Sequence, residues 1–417
     1  MAAVLWVSTA RADSVELAWP ADDRNCAAEA AAVDADGRLL VACYQLYERG
    51  WRLTAYSPDG ALVAERFVNG VGGEPTPVAT FPRPEGMAVD DVAGVAYVAG
   101  ALATGAVEET AGAVVAVALD DLRPVWTTVD PAVEVYGNVA LAADGTTCAV
   151  GRSFNGTDTD LAISRFDANG SLLWTRTIDR GDDDAGTSSF QDVAVDDRGA
   201  CYAVGNNVFA RVNPDGSVAW VVERPALSLA LQDDRYVVVS SPLVPRGQTA
   251  LYDLDGNLVW ETMVGGIALA TADHGDVWFG RNEFVGSSEV NWQVGRIADH
   301  GELLWLETIG QRRQDLVQDL VVGDDDSLYA AGQVTIPGGL FNRFWVQRGA
   351  LIKFDPNGDQ KWRIDEAAVP GPRNLVASGD DRLYVTGLAG HAAFDHKTEE
   401  EPPRSCPWWN WICRWSK

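Results

Sequence analysis

The residues best suited to chemistry are few and scattered. The chain carries four histidines, His274, His300, His391 and His396. A zinc site needs His, Cys or carboxylate ligands in a cluster. His274 and His300 instead each stand in the phrase Ala-Asp-His-Gly, where they read as turn residues. The densest acidic stretch is GDDDAG, residues 181–186. Its Asp182, Asp183 and Asp184 offer the hard oxygen ligands that calcium takes, so weak calcium binding and a merely solvated loop are the two readings there. YDLDGN, residues 252–257, has the opening of a calcium loop but lacks the remaining ligands and the closing Glu. No glycine-rich phosphate loop precedes a helix, and no serine nucleophile elbow occurs. No catalytic residue is therefore assigned, and no cofactor is expected beyond weakly held calcium.

The six cysteines bear on the compartment. Cys148 and Cys201 lie in apolar runs and read as small buried core residues. Cys26 and Cys43 flank one hairpin, and Cys406 and Cys413 flank a short loop; both pairs are candidate disulfides in an oxidising compartment. The first residues, MAAVLWVSTARADS, hold a short apolar run and then Ala10-Arg11-Ala12, a signal-peptidase-like site before Asp13. The expectation is export, to a periplasm, an outer surface or the medium. A net charge of -28 repels nucleic acid, which is excluded as a partner. No stretch is long enough to cross a bilayer as a helix.

Two phrases recur and must position whatever chemistry exists. AVDDRGACYAVG (194–205) has counterparts at 32–43, 88–100, 141–151, 229–240, 269–280, 321–332 and 376–387. FDANGSLLW (166–174) has counterparts at 56–64, 212–220, 252–260, 297–305 and 354–362, with a degenerate copy ending at Trp126. Each phrase is strand, Asp/Gly turn, strand. Together they make a four-stranded unit repeated eight times at a spacing of about 35 to 55 residues, the range of a propeller blade. One blade cannot bury both its faces, whereas a ring can. The last unit lacks a fourth strand, and SVELAW (14–19) matches the missing one. The reading is an all-β, eight-bladed β-propeller, closed by an N-terminal outer strand added to the C-terminal blade. Seven blades is the runner-up, because the fifth unit is short. Trp19, Trp126, Trp174, Trp220, Trp260, Trp305 and Trp362 share one outer-strand position and read as wedges between blades.

These paired phrases resemble the bacterial β-propeller repeats of secreted and periplasmic proteins, related in pattern to the pyrroloquinoline-quinone enzymes. The resemblance covers roughly residues 14–395 and implies the fold. For a quinone enzyme it would also imply a vicinal disulfide, a calcium held by acidic residues and a catalytic Asp. No Cys-Cys pair occurs, and the Asp-to-Gly turn is one residue shorter than in the docking motif.

Both repeated turns fall on one face of the ring, so the longer connections emerge on the other. That face is the expected binding surface, because long loops concentrate function. Its candidates are Arg343, Phe344, Trp345, Arg348, Arg312, Arg313, Asp315, Asn282 and Glu283. Arg343-Phe344-Trp345 suits an interface anchor, unless the two aromatics begin a buried strand. The domain reading is a leader-like segment 1–12, a propeller 13–395, a linker 396–404 and a Trp/Cys-rich tail 405–417. The tail, CPWWNWICRWSK, suits docking on the propeller itself, or contact with a membrane interface or a partner. The expected function is an exported binding or scaffold module for a protein or glycan ligand. A quinone-type oxidoreductase, a lyase and a calcium-dependent adhesin are the alternatives on the same fold.

Overall fold

The computed structural model describes residues 14–21, 27–44, 50–69, 83–104, 110–154, 156, 159–179, 192–205, 207–242, 247–272, 274–285, 289–310, 315–338, 344–366, 371–378, 382–387 and 390–397. They form eight antiparallel four-stranded sheets. Blades 1 to 7 span 27–69, 84–130, 135–178, 192–223, 228–262, 268–309 and 316–366. Blade 8 takes three strands from 372–397, and its outermost strand is the N-terminal Ser14–Ala21. Ser14 pairs with Lys397 and Ala21 with His391, so hydrogen bonds between the two ends of the chain close the ring. The inner strands, Ala27–Val33 in blade 1 through Pro372–Ser378 in blade 8, neighbour one another in order, and the last returns to the first.

Residue pattern follows position in the blade. The second strand of blade 1, Leu39–Tyr44, is buried throughout, because blades cover both of its faces. The outer strand Leu172–Ile178 is mostly exposed or half-buried. The core is not inside blades but between them. Each boundary holds one apolar cluster, such as Cys148, Val150 and Ile163 of blade 3 against Cys201, Ala203 and Val212 of blade 4. At that boundary Cys148 and Cys201 form a disulfide, with Cα atoms 6.3 Å apart. Both are buried, as their sequence context suggested; their pairing across blades was not foreseen.

The recurrent Asp has a local cause. Asp167 Oδ1 accepts the N–H groups of Asn169 (2.9 Å) and Ser171 (2.8 Å), tying its own turn. Asp253 does the same with Asp255 and Asn257, and Asn257 Nδ2 donates to its other oxygen at 2.9 Å. The calcium-like phrase YDLDGN is thus a turn whose leading carboxylate is already engaged.

The recurrent Trp and Gly explain each other. The outer-strand Trp of one blade lies on the Asp/Asn-Gly turn of the next. Trp126 Nε1 donates to Ala168 O (3.1 Å), Trp174 to Pro214 O (3.0 Å), Trp220 to Leu254 O (3.1 Å), Trp260 to Asp299 O (2.6 Å) and Trp305 to Pro356 O (3.1 Å). The turn glycine has positive φ, +81° at Gly216, and a Cβ there would stand 2.9 Å from the Trp174 ring. Glycine is required twice, for the backbone and for the indole. Blade 1 has Ala64 in place of Trp, and the following turn has Leu122 in place of Gly, at φ 57°. Leu122 is buried in the cluster against which Ala64 packs, so it supplies the volume that the missing indole would.

The fifth unit reads as weak in sequence because its first turn is tighter. Asp233 and Asp234 both adopt positive φ (50° and 48°), Arg235 N donates to Gln232 O at 3.0 Å, and only Asp233, Asp234 and Arg235 lie between the paired Gln232 and Tyr236. Its sheet has all four strands, which settles eight blades over seven.

Candidate functional site

The long-connection face is built differently from its sequence expectation. The connections expected to carry Asn282, Glu283, Arg343, Phe344, Trp345 and Arg348 are mostly strand among the described residues. Val277–Val285 and Glu289–Ile297 form one extended hairpin in blade 6, and Leu328–Gly338 and Phe344–Phe354 another in blade 7. Polar residues hold these arms together. Arg281 Nε donates to Gln293 Oε1 at 2.6 Å, and Gln293 Nε2 donates to Glu283 Oε2 at 2.7 Å.

The candidate residues therefore divide. Glu283 is half-buried and braces the hairpin. Asn282 is a clamp between blades, its Oδ1 accepting Val317 N–H at 2.9 Å. Asp315 lies inside rather than on the surface, at 1% exposure, and its Oδ1 accepts Thr335 N–H at 2.5 Å. Arg348 is half-buried in the blade 7 hairpin. Phe344 and Trp345 are strand residues, Trp345 pairing with Pro337; their side chains, and that of Trp19, are not described. Arg312, Arg313, Arg343, Asp182, Asp183, Asp184, Cys26, Cys406 and Cys413 lie outside the described residues. Cys43 is disulfide-bonded, to a partner likewise outside them. Among the described residues, aromatics that project from this face are Phe284, 77% exposed near the tip of the blade 6 hairpin, and Phe154, 55% exposed at the matching end of blade 3.

Sequence reading missed the mouth of the central channel. In blades 1, 2, 3, 7 and 8 the register of the inner strand shifts by one residue near its start. The extra residues are Glu29, Glu85, Gly137, Gln318 and Arg373. A bulge re-aims its extra side chain, and here it makes bulges of neighbouring blades meet. Arg373 of blade 8 binds Glu29 of blade 1. Arg83, just before the blade 2 inner strand, stands 4.0 Å from Glu29 and 5.5 Å over the Tyr44 ring.

Glu85 is the outlying member. Solvent reaches its side chain, yet burial is the main influence on its carboxyl and raises its pKa, against the opposing pull of Arg83 and Arg152. Water reaches the residue, while the protein around its carboxyl disfavours the charged form. Among the described residues Glu85 has no hydrogen-bond or ion-pair partner, whereas Glu29 has two arginines. A sequence signal existed, a charge directly before the apolar run of three consecutive blades (Glu85, Glu29, Arg373).

One residue deeper, Asn138, Asp192, Asp319 and Asn374 occupy matching positions on their inner strands. Asp192 accepts Leu229 N–H of blade 5 at 3.0 Å and Asn138 Nδ2 of blade 3 at 2.8 Å. Asp319 accepts Leu375 N–H of blade 8 at 2.8 Å. Burial raises the pKa of both, that of Asp319 to about 6, and the Asp192 charge contributes to the rise at Asp319 although blades 5 and 6 separate them in the ring. The two acids thus sense each other across the channel while clamping one blade to the next. Among the described residues, no three His, Cys, Asp or Glu gather as a metal site.

No protein-family model matches the chain, and no curated protein matches it. Among solved structures, streptogramin B lyase is similar with a TM-score of 0.50 and 9% identity, covering 92% of this chain and 98% of that one. The chain is an eight-bladed β-propeller. The WD40 domain of Neurospora crassa Pan2 aligns with a TM-score of 0.49 and 9% identity over 94% of this propeller and 98% of its own chain. At such identity the likeness concerns the fold alone.

Proposed function

We propose that this propeller is an exported binding module, and that its ligand lies across the channel mouth on the long-connection face. The carrying observation is Glu85, an exposed carboxylate whose surroundings nonetheless raise its pKa and which has no hydrogen-bond or ion-pair partner among the described residues, beside an Arg/Glu cluster whose other acid is satisfied. An exposed acid that no hydrogen bond or ion pair satisfies among the described residues can accept a cation from outside. A protein ligand presenting a Lys or Arg side chain fits it, with Phe284 at the rim as an apolar contact. Export is supported by the Cys148–Cys201 disulfide. It is also supported by the start of the closing strand at Ser14, which cleavage before Asp13 leaves whole.

An enzymatic reading, as a lyase or oxidoreductase, calls for a free acid or base at the axis. Asp192 and Asp319 are there, but backbone amides of neighbouring blades occupy them, which favours the binding reading.

The test is an array of peptides bearing Lys or Arg, probed with the wild-type chain and with Glu85→Gln. The expected result is a subset of basic peptides bound by the wild type and weakened at least about tenfold by Glu85→Gln, the size of one charge-assisted hydrogen bond. Asp59→Asn, on the opposite face, should bind as wild type. Equal binding by Glu85→Gln, or no basic peptide bound at all, overturns the proposal.

A further inference from the structure

Two arginines at the channel mouth stand beside Glu85 without bonding to it. Arg83 precedes Glu85 by two residues, with Pro84 between them paired to Gly100. Arg152 lies on the second strand of blade 3 opposite Val135, and its carbonyl accepts the Glu134 N–H at 2.8 Å. The inner strands of blades 2 and 3 touch here, since a Cβ at Gly86 would stand 2.6 Å from Asn138 Cα. Both guanidinium charges act on the Glu85 carboxyl. Among the described residues neither donates a side-chain hydrogen bond, to Glu85 or elsewhere. Arg83 Nη1 is 4.0 Å from Glu29 Oε1, and Glu29 already holds Arg373. Arg152 Nε is 3.1 Å from Glu134 Oε2 but outside hydrogen-bond geometry. The two side chains are 46% and 38% exposed. Along the mouth the signs alternate over blades 8, 1, 2 and 3: Arg373, Glu29, Arg83, Glu85, Arg152, Glu134.

We propose that this arc takes the C-terminal end of a peptide that finishes in Lys or Arg: the side-chain cation meets Glu85, and the terminal carboxylate lies between Arg83 and Arg152. The inference rests on the reading of Glu85 as the acceptor of a cation and adds a carboxylate beside it. Charge favours the pair. Three arginines face three glutamates, so a ligand with one charge of each sign leaves the arc balanced, whereas a lone cation or a lone anion does not. Reach agrees. Two residues of extended chain separate Arg83 from Glu85 by about 7 Å along the strand, a span that the four-carbon stem of a lysine covers. Guanidinium suits the other end, because its planar fork matches a carboxylate. A free amino acid fits less well. Its α-ammonium would enter beside two guanidinium groups, where a peptide brings a neutral amide.

The test presents each basic peptide of the array to the full chain in three forms: Lys or Arg last with a free carboxylate, the same peptide amidated, and the same peptide extended by one Gly. The wild type should bind the first form at least about tenfold tighter than the other two, the size of one charge-assisted hydrogen bond. The acid-to-amide ratio should fall toward one in Arg83→Gln and in Arg152→Gln. That ratio is internal to each variant, so a general loss of folding does not mimic it. Arg83→Lys, which keeps the charge and loses the fork, should retain part of it. Acid and amide bound equally by the wild type, with Glu85→Gln still weakening both, would overturn this inference and leave the binding-module reading standing. A wild-type ratio that survives in both Gln variants would also overturn it. No basic peptide bound in any form would overturn both.

Discussion

Raising the pH from 4 to 7 should cost this ring stability, and Asp319 sets the size of the effect. Its Oδ1 accepts Leu320 N–H at 2.9 Å and its Oδ2 accepts Leu375 N–H of the next blade at 2.8 Å. Burial lifts its carboxyl from the ordinary 3.8 to about 6; the two amides pull it down, and Asp192 pushes it up. A folded pKa above the unfolded one means that the native state binds more protons between those values. Stability contributed by the protonated form is therefore full below about pH 4 and is lost as pH rises through about 6. Roughly two pKa units correspond to about 3 kcal/mol. Asp192 is shifted in the same direction and adds to the slope. The turn aspartates act in a separate, lower window. Asp167, held down by the Ser171 amide, and Asp253, held down by the Asn257 side chain, contribute stability that is present above the ordinary 3.8 and lost as pH falls below it.

The assay is denaturant unfolding at pH 4, 5, 6 and 7 at fixed ionic strength, for wild type and Asp319→Asn. The variant keeps one acceptor and cannot ionise. Self-repulsion of a chain with net charge -28 changes little between the two and cancels in the difference. The wild type should lose about 2–3 kcal/mol relative to the variant between pH 4 and 7, most of it between 4 and 6. A wild-type-minus-variant difference that is flat across this range refutes the buried-acid account of Asp319.

Two further outcomes follow from the boundaries between blades. Ala64→Trp alone should destabilise by about 1–3 kcal/mol, since Leu122 already fills the site, and Leu122→Gly should recover most of that loss in the double variant; additive losses in a double-mutant cycle would contradict the exchange of Trp/Gly for Ala64/Leu122. Removing the Cys148–Cys201 bond, with a sequence separation of 53, by Cys148→Ala/Cys201→Ala should cost up to about 4 kcal/mol by the chain-entropy model, and an unchanged unfolding midpoint would contradict its role in joining blades 3 and 4.

What the sequence made legible is what depends on neighbours in the chain. An Asp that ties its own turn and a Gly that takes positive φ recur with each hairpin, so the blade count and the closing strand could be read from them. The unmatched SVELAW pointed to the closure because it repeats a strand whose partner was missing. What escaped depends on the ring. Cys148 and Cys201 meet only because consecutive blades stack. Arg281, Asn282 and Glu283 look like loop residues, yet they are strand, because Gln293 and Trp292 across the hairpin give them partners. Glu85 reads as a surface charge until a one-residue bulge turns it into the channel mouth.

The measurement that tests the central claim most directly is amide hydrogen exchange of the full chain with and without a basic peptide selected on the array. Slowed exchange around Arg83–Gly86, at the start of the blade 1 inner strand and at the tip of the Val277–Val285 arm, with none in the turns at 57–61, 167–171 and 213–217, is the predicted result. Protection confined to those turns would place the ligand on the opposite face and contradict the account.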